Sequence, residues 1–129
     1  MSHVTVISEH QFVQQIISGH HRWSADEPPS NGGSDAGPAP YDLLLSGLGA
    51  CTAITLRMYA RRKEWDLGRI TVGLRFTRDP DGQEHVDRRL SFGKPLNEEQ
   101  KARLLEIAGK TPVTKTLMKG LAIVSSIVD

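Results

Sequence analysis

Cysteine is nearly missing from this sequence. Cys51 stands alone among 129 residues, which excludes an internal disulfide and any zinc site assembled from several cysteines of one chain. Aromatic residues are scarce as well, at two Trp, two Tyr and three Phe, so Leu, Ile and Val have to supply most of a core. No charge sign prevails: sixteen basic against fifteen acidic residues leave +1, and Arg61-Arg62-Lys63 is the longest basic run. Neither nucleic acid nor a membrane is therefore expected as a partner. Uninterrupted apolar runs of about eighteen residues are absent, so no membrane span is expected. The stretch Ser2-His3-Val4-Thr5-Val6 carries neither the basic region nor the apolar run of a signal peptide. These absences predict a cytoplasmic protein of one domain, residues 1–129, able to bury roughly two-thirds of its chain surface without staples.

What is present is organised by period. Val4 and Val6 face opposite to Thr5, and Phe12, Gln14 and Ile16 opposite to Val13, Gln15 and Ile17, which predicts two strands joined around Glu9-His10. His20 to Ala25 continues as a third extended piece. From Asp26 to Pro40 the composition shifts, with four Pro and three Gly among fifteen residues, and a loop this long is usually functional or mobile. Pro40 then opens a helix, because the N–H that proline lacks would be unpaired at the first helical position. Asp42 in the first turn and Arg57, Arg61, Arg62 and Lys63 toward the far end complement the helix dipole. Leu43 to Leu56 carries no charge, so the helix is apolar nearly all round and has to be enclosed on most sides. Ser46, Gly47, Gly49, Ala50 and Ala53 keep part of it narrow enough for a second backbone to approach. Each glycine costs about 1 kcal/mol of helix propensity relative to Ala, which points to a packing reason. One chain of this length hardly encloses such a helix; a tight homodimer does.

A hairpin follows. Ile70, Val72, Leu74 and Phe76 alternate with Thr71, Gly73, Arg75 and Thr77, Asp79-Pro80-Asp81-Gly82 supplies the turn, and Val86, Leu90 and Phe92 share one face of the return strand. Arg88 falls on that same face and breaks the pattern, which predicts a bulge or partial burial. Asn97 to Ala108 is an amphipathic helix with Asn97 and Gln100 as a capping box and Gly109 at its end. Thr111-Pro112 begins a short helix, and Leu121 to Val128 is expected to form a final inner strand, apolar on both faces. Hairpin strands with segregated helices indicate an α+β fold with a mainly antiparallel sheet.

The residues alone leave the chemistry open. Cys51, at Gly49-Ala50-Cys51-Thr52-Ala53, is either core filling or a reactive thiol. A reactive thiol needs its thiolate favoured by a cation or a helix N-terminus. Cys51 lies about three turns into its helix, so an arginine brought by the fold would have to act. His3, His10, His20, His21 and His85 show no metal spacing, and His20-His21 on a strand would point to opposite faces. Asp26, Glu27 and Asp35 are expected to be loop charges, and Met58 and Trp65 core. No metal and no cofactor is expected.

Pro40-Tyr41-Asp42-Leu43-Leu44-Leu45-Ser46-Gly47-Leu48-Gly49-Ala50-Cys51-Thr52 resembles the central-helix motif of the OsmC/Ohr family of organic hydroperoxide reductases. Ala25-Asp26-Glu27-Pro28, Gly32-Gly33 and Gly37-Pro38 are similar to the loop leading into that helix in one branch, and Arg57 to Lys63 to the way that branch ends it. The resemblance implies an intertwined homodimer in which antiparallel sheets wrap two long central helices. It also implies reduction of organic hydroperoxides: a thiolate attacks a peroxide oxygen, an alcohol leaves, and the resulting sulfenic acid condenses with a second cysteine.

By this resemblance Cys51 matches the attacking cysteine, Asp42 the acidic position at the helix start, and Arg22 the arginine that favours the thiolate. The second cysteine is missing: where the family's motif reads Cys-Pro-Val, this chain has Thr111-Pro112-Val113. Thr114 stands where the family often has serine or histidine. Threonine forms no disulfide, so an external thiol reductant is expected as a partner beside a small hydrophobic peroxide. The alternative is a degenerate dimer that binds a small apolar ligand or is structural, since a shared fold does not carry function by itself.

Overall fold

The computed structural model describes residues 2–129 and divides into two compact units, one ending at Ser46 and the other beginning at Gly47. The first unit holds an antiparallel sheet in chain order, β1 (Thr5–Ile7), β2 (Gln14–Ser18) and β3 (His21–Ala25), so the third extended piece is a true strand. Ile16 sits opposite Val6 on one side and Trp23 on the other, and it is the strand residue buried most deeply at the sheet's centre. His20 lies in the β2–β3 turn and not on the strand, so its ring stacks on that of His21 with centroids 4.1 Å apart. The expected opposition of the two rings is thereby corrected. Among the described residues no cluster of His, Cys, Asp or Glu is arranged to hold a metal.

The loop after β3 is built around a carboxylate. Asp26, expected to be a surface charge, is only 3% exposed. Its Oδ1 accepts from the N–H of Glu27, and its Oδ2 accepts from those of Ser34 and Ala36. Its own N–H donates to the carbonyl of Pro38 at 3.1 Å, closing the loop's far end. The glycines permit this closure: a Cβ at Gly33 would lie 1.9 Å from the Glu27 carbonyl oxygen, and one at Gly37 2.4 Å from that of Ser24. No side chain fits either place. The Pro- and Gly-rich stretch is therefore a folded loop, with a short 3-10 turn at Pro29–Asn31.

The long helix α1 runs Pro40–Lys63 as its composition predicts. It stops where Glu64 takes a left-handed conformation (φ 57°) and Trp65 N–H donates back to the Ala60 carbonyl at 2.8 Å. The second unit takes α1 from Gly47 onward, then β4 (Ile70–Arg78), β5 (Glu84–Phe92), α2 (Glu98–Ala108) and α3 (Pro112–Lys119). Gly82, at φ 89°, turns the β4–β5 hairpin, and its N–H donates to the Asp79 carbonyl at 2.9 Å. Asn97 and Gln100 form the capping box, and Thr111 caps α3.

One face of α1, Leu48, Gly49, Thr52, Leu56, Tyr59 and Ala60, is buried at helical spacing. Its lower part joins Leu67 and Leu104 in the core, with Trp65, Ile70, Leu90, Phe92, Leu96 and Ile107 packed around them. Gly49 leaves room for a side chain, not a backbone: a Cβ there would meet Leu74 Cδ1 at 2.7 Å. Arg103 Nε donates to Tyr59 Oη at 2.9 Å, and Trp65 meets the Tyr59 ring edge-on. The opposite face of α1 is not covered by the chain. On it Ile54 is exposed, and Met58, expected in the core, is 67% exposed.

One further expectation changes. Leu121 to Val128 forms no strand, and its large apolar side chains are 71–97% exposed. A strand needs a hydrogen-bonding edge, and this segment pairs with none in its own chain. Among the described residues α1 alone is also long and apolar enough to cross a membrane, with a mean hydropathy of 1.4. Ser46, Gly47 and Thr52 break its apolar run without making it polar, so the uninterrupted-run criterion passes it over. A helix enclosed by protein meets the same test.

The Asp26 anchor has a pH signature. Chiefly the Ala36 N–H, with those of Glu27 and Ser34, holds its carboxyl below the ordinary carboxylate range against the opposing effect of burial. Because the folded value is lowered, the stabilisation is complete above the unfolded value of about 3.9 and lost as pH falls through the lower one. Hydrogen exchange, corrected for intrinsic rates, is expected to show Ser34 and Ala36 amides protected at pH 6 and not at pH 2. Asp26→Asn and Gly33→Ala are each expected to remove the protection at pH 6. Amides equally protected in either variant would refute the anchor.

Candidate functional site

The site grows from the residue that interrupted the apolar pattern of β5. The β4–β5 register is unbroken, Val72 opposite Leu90, Leu74 opposite Arg88 and Phe76 opposite Val86, so there is no bulge and Arg88 points with its apolar neighbours toward the packed face. It is half-buried there. Its Nη1 donates to Thr52 Oγ1 at 3.0 Å and to Thr114 Oγ1 at 2.8 Å, and its Nη2 to the Ala108 carbonyl at 2.8 Å. One guanidinium thus ties α1, the end of α2 and α3 to β5.

The hydroxyls are arranged to accept. Thr52 gives its proton to the Leu48 carbonyl at 2.7 Å, leaving a lone pair for Arg88. Thr114 Oγ1 lies 2.6 Å from Thr111 Oγ1 and 3.3 Å from the Ala108 carbonyl. Thr111, fully buried, caps α3 by accepting from the Thr114 N–H. The position where the resemblance expects a second cysteine therefore opens into the same hydrogen-bonded cluster as Arg88.

Cys51 precedes Thr52 on α1 and is half-exposed, neither core filling nor surface. Burial lowers the pKa of the Arg88 guanidinium, and Cys51 as a thiolate would oppose that. Beside Arg88 and Thr114 lies an open cavity of about 410 Å³, walled by Leu48, Val86, Leu117 and Met118 with Glu84 and His85 at its margin. Glu84 is paired with Arg78, and the His85 ring lies 2.7 Å from Thr77 Oγ1. The arrangement holds a fixed cation at an apolar hollow, bonded to the residue that follows the thiol in α1.

The other two residues singled out by the sequence lie in the unit ending at Ser46. Arg22 is exposed on β3, opposite Ile17. Asp42 accepts from the Ala39 N–H at 3.1 Å and so caps α1. Arg88 was visible in the sequence as a pattern break, and only its partners were hidden.

Comparison with known proteins agrees with this architecture. The structure superposes on an OsmC like protein from Mycoplasma pneumoniae with a TM-score of 0.78 at 20% identity, covering 92% of this chain and 87% of that one. It superposes on an organic hydroperoxide resistance protein from Elizabethkingia anophelis with a TM-score of 0.64 at 17% identity (89% and 86% covered). For the organic hydroperoxide resistance protein OhrB of Bacillus subtilis the TM-score is 0.60 at 22% identity (89% and 88% covered). No curated protein sequence matches. The model of the OsmC-like protein family matches residues 32–126, and these span α1 with Cys51, the hairpin with Arg88, and both threonines. The chain belongs to the OsmC-like family.

Proposed function

We propose that this protein reduces organic hydroperoxides with the single thiol of Cys51. The observation that carries the reading is the half-exposed Cys51 on α1, followed directly by Thr52, whose hydroxyl accepts from the Arg88 guanidinium. Two proteins of like fold are named for organic hydroperoxide resistance, which supports the same chemistry. The thiolate attacks the outer oxygen of the hydroperoxide and the O–O bond breaks. The departing alkoxide takes up the proton of that outer oxygen and leaves as the alcohol, and Cys51 is left as a sulfenate. One external thiol condenses with the protonated sulfenic acid, releasing water and leaving a mixed disulfide. A second thiol then frees Cys51 and departs as the external disulfide. Arg22 is the further cation and Asp42 the carboxylate proposed to complete the site.

The working unit is proposed to be a single-domain chain paired as an intertwined, cytoplasmic homodimer. Support comes from the uncovered face of α1 and from the unpaired apolar segment Leu121 to Val128. A second reading, a ligand-binding dimer without turnover, is favoured by one observation: Thr111 cannot form the disulfide that a cysteine there would.

Mass spectrometry with a sulfenate trap, after brief exposure to a bulky organic hydroperoxide, is expected to find Cys51 modified much faster than with hydrogen peroxide. Cys51→Ser should give no adduct. A thiol no faster than free cysteine would leave the ligand-binding reading in its place. In the Thr111→Cys variant, peroxide treatment is expected to consume both thiols as an intramolecular disulfide; two persisting thiols would put position 111 out of reach.

Sedimentation equilibrium at micromolar concentration is expected to give twice the chain mass of 14.2 kDa. Gly47 offers a sharper test, because a Cβ there meets nothing within 4 Å in the single chain. On a free helix, Gly47→Leu would raise stability by up to about 1 kcal/mol. Against a second copy it should instead shift the protein toward monomer. A stable wild-type monomer would end the pairing argument.

A further inference from the structure

Arg88 carries a charge that its hydrogen bonds do not neutralise. All three acceptors, Thr52, Thr114 and the Ala108 carbonyl, are uncharged. A guanidinium has five N–H groups, and those three bonds leave Nε–H and one Nη2–H without a protein acceptor among the described residues. No carboxylate is paired with it among the described residues, although withdrawing an unpaired cation from water is expensive. A side chain that merely tied three elements together would not need to be an arginine. Thr52 donates to the Leu48 carbonyl and Thr114 to that of Ala108 without it.

We propose that Arg88 is the positioning residue for Cys51: held rigidly by Thr52, Thr114 and Ala108, it supplies the fixed cation that favours the thiolate. This rests on the reading of Cys51 as the reacting thiol. Cys51 lies too deep in α1 for the helix N-terminus to do this work, and Thr52, its neighbour in the chain, holds the guanidinium at that level of the helix. A fixed cation lowers the cost of forming the thiolate without binding substrate. Its unfilled N–H groups leave it able to take up negative charge beside the cavity.

The other groups that titrate or carry charge at the cavity are few. From β5 come Glu84, paired with Arg78, and His85, which lies by Thr77 and 4.0 Å from Asp79. From α1 comes Leu48, and from α3 come Thr114, Leu117 and Met118, none of them ionisable in this range. Histidine is the side chain that most often changes charge near neutrality, so His85→Gln serves as the background in which Cys51 is followed.

The test is the pH profile of Cys51 alkylation by iodoacetamide, a reaction that involves no peroxide. Arg88→Met is expected to raise the midpoint by about one pH unit, an approximately tenfold loss of thiolate at neutral pH. Arg88→Lys should restore most of that shift while losing the forked hydrogen bonds. An unchanged midpoint in folded Arg88→Met, or a lysine variant no better than methionine, would overturn the proposal. Should Arg88→Met fail to fold, the wild-type protein still decides. Its rate with anionic iodoacetate relative to neutral iodoacetamide should exceed that ratio for free cysteine, and a ratio at or below it would overturn the proposal. If peroxide reduction fails while the alkylation results hold, the enzymatic reading falls and the role of Arg88 stands. The reverse pattern removes Arg88 alone.

Discussion

A guanidinium on the inward face of a strand sets a condition that the elements around it have to meet. Without acceptors, Arg88 would cost more than an apolar residue at the same register position could return. Thr52 meets that condition from α1, Ala108 from the last turn of α2, and Thr114 from the first turn of α3. The hydroxyl of Thr111 then sets Thr114 while capping its own helix. These bonds place the Thr52 level of α1, the C-terminal end of α2 and the N-terminal end of α3 around one point of β5. Packing of Leu56, Tyr59, Leu67 and Leu104 holds the lower part of the unit together, but it does not define where Cys51 stands relative to a charge.

The second constraint is that a long helix of nearly uniform apolar composition has only one face buried. Enclosure is incomplete in two places at once, along Leu44, Ile54 and Met58 and along the segment after Gly120. Fully burying five large apolar side chains of that segment, Leu121, Ile123, Val124, Ile127 and Val128, would contribute roughly 10 kcal/mol at about 2 kcal/mol each. Association and ordering cost an amount of similar size. A pair of chains that covered only the segment would thus be marginal, whereas one that also covered α1 would gain enough to persist. The proposed pairing is for this reason most economical as an intertwined arrangement.

Local signals were legible from the sequence and partnerships were not. Pro40 and Asp42, the capping box of Asn97 and Gln100, the Thr111 cap and the Asp79 to Gly82 turn each depend on neighbours within a few residues, and each stands where the pattern put it. Asp26 and Leu121 to Val128 depend on distant groups. Three backbone N–H groups up to ten residues away make a loop charge into a buried anchor. The C-terminal segment has the composition of an inner strand and no edge to join. At the candidate site, Cys51 was marked by its motif and Arg88 by a break in alternation, but the bond from Arg88 to Thr52, the residue after Cys51, is a tertiary fact. Only the folded register, with Leu74 opposite Arg88 and Thr52 across the packed face, brings them together.

Thr111 separates geometry from redox chemistry in a way that bears on the whole family reading. A hydroxyl caps α3 and bonds Thr114, so the local structure survives with threonine at this position. What it lacks is a sulfur that could accept the second half of a disulfide. In a one-thiol cycle the sulfenate must wait for an external thiol to arrive, and during that wait further oxidation competes. An unpaired Arg88 would act on both sides of this competition, since a nearby cation favours the thiolate before oxidation and the sulfenate anion after it. On the proposed one-thiol cycle Arg88 would matter more than beside an internal second cysteine, because the sulfenate it would hold is the intermediate that has to last.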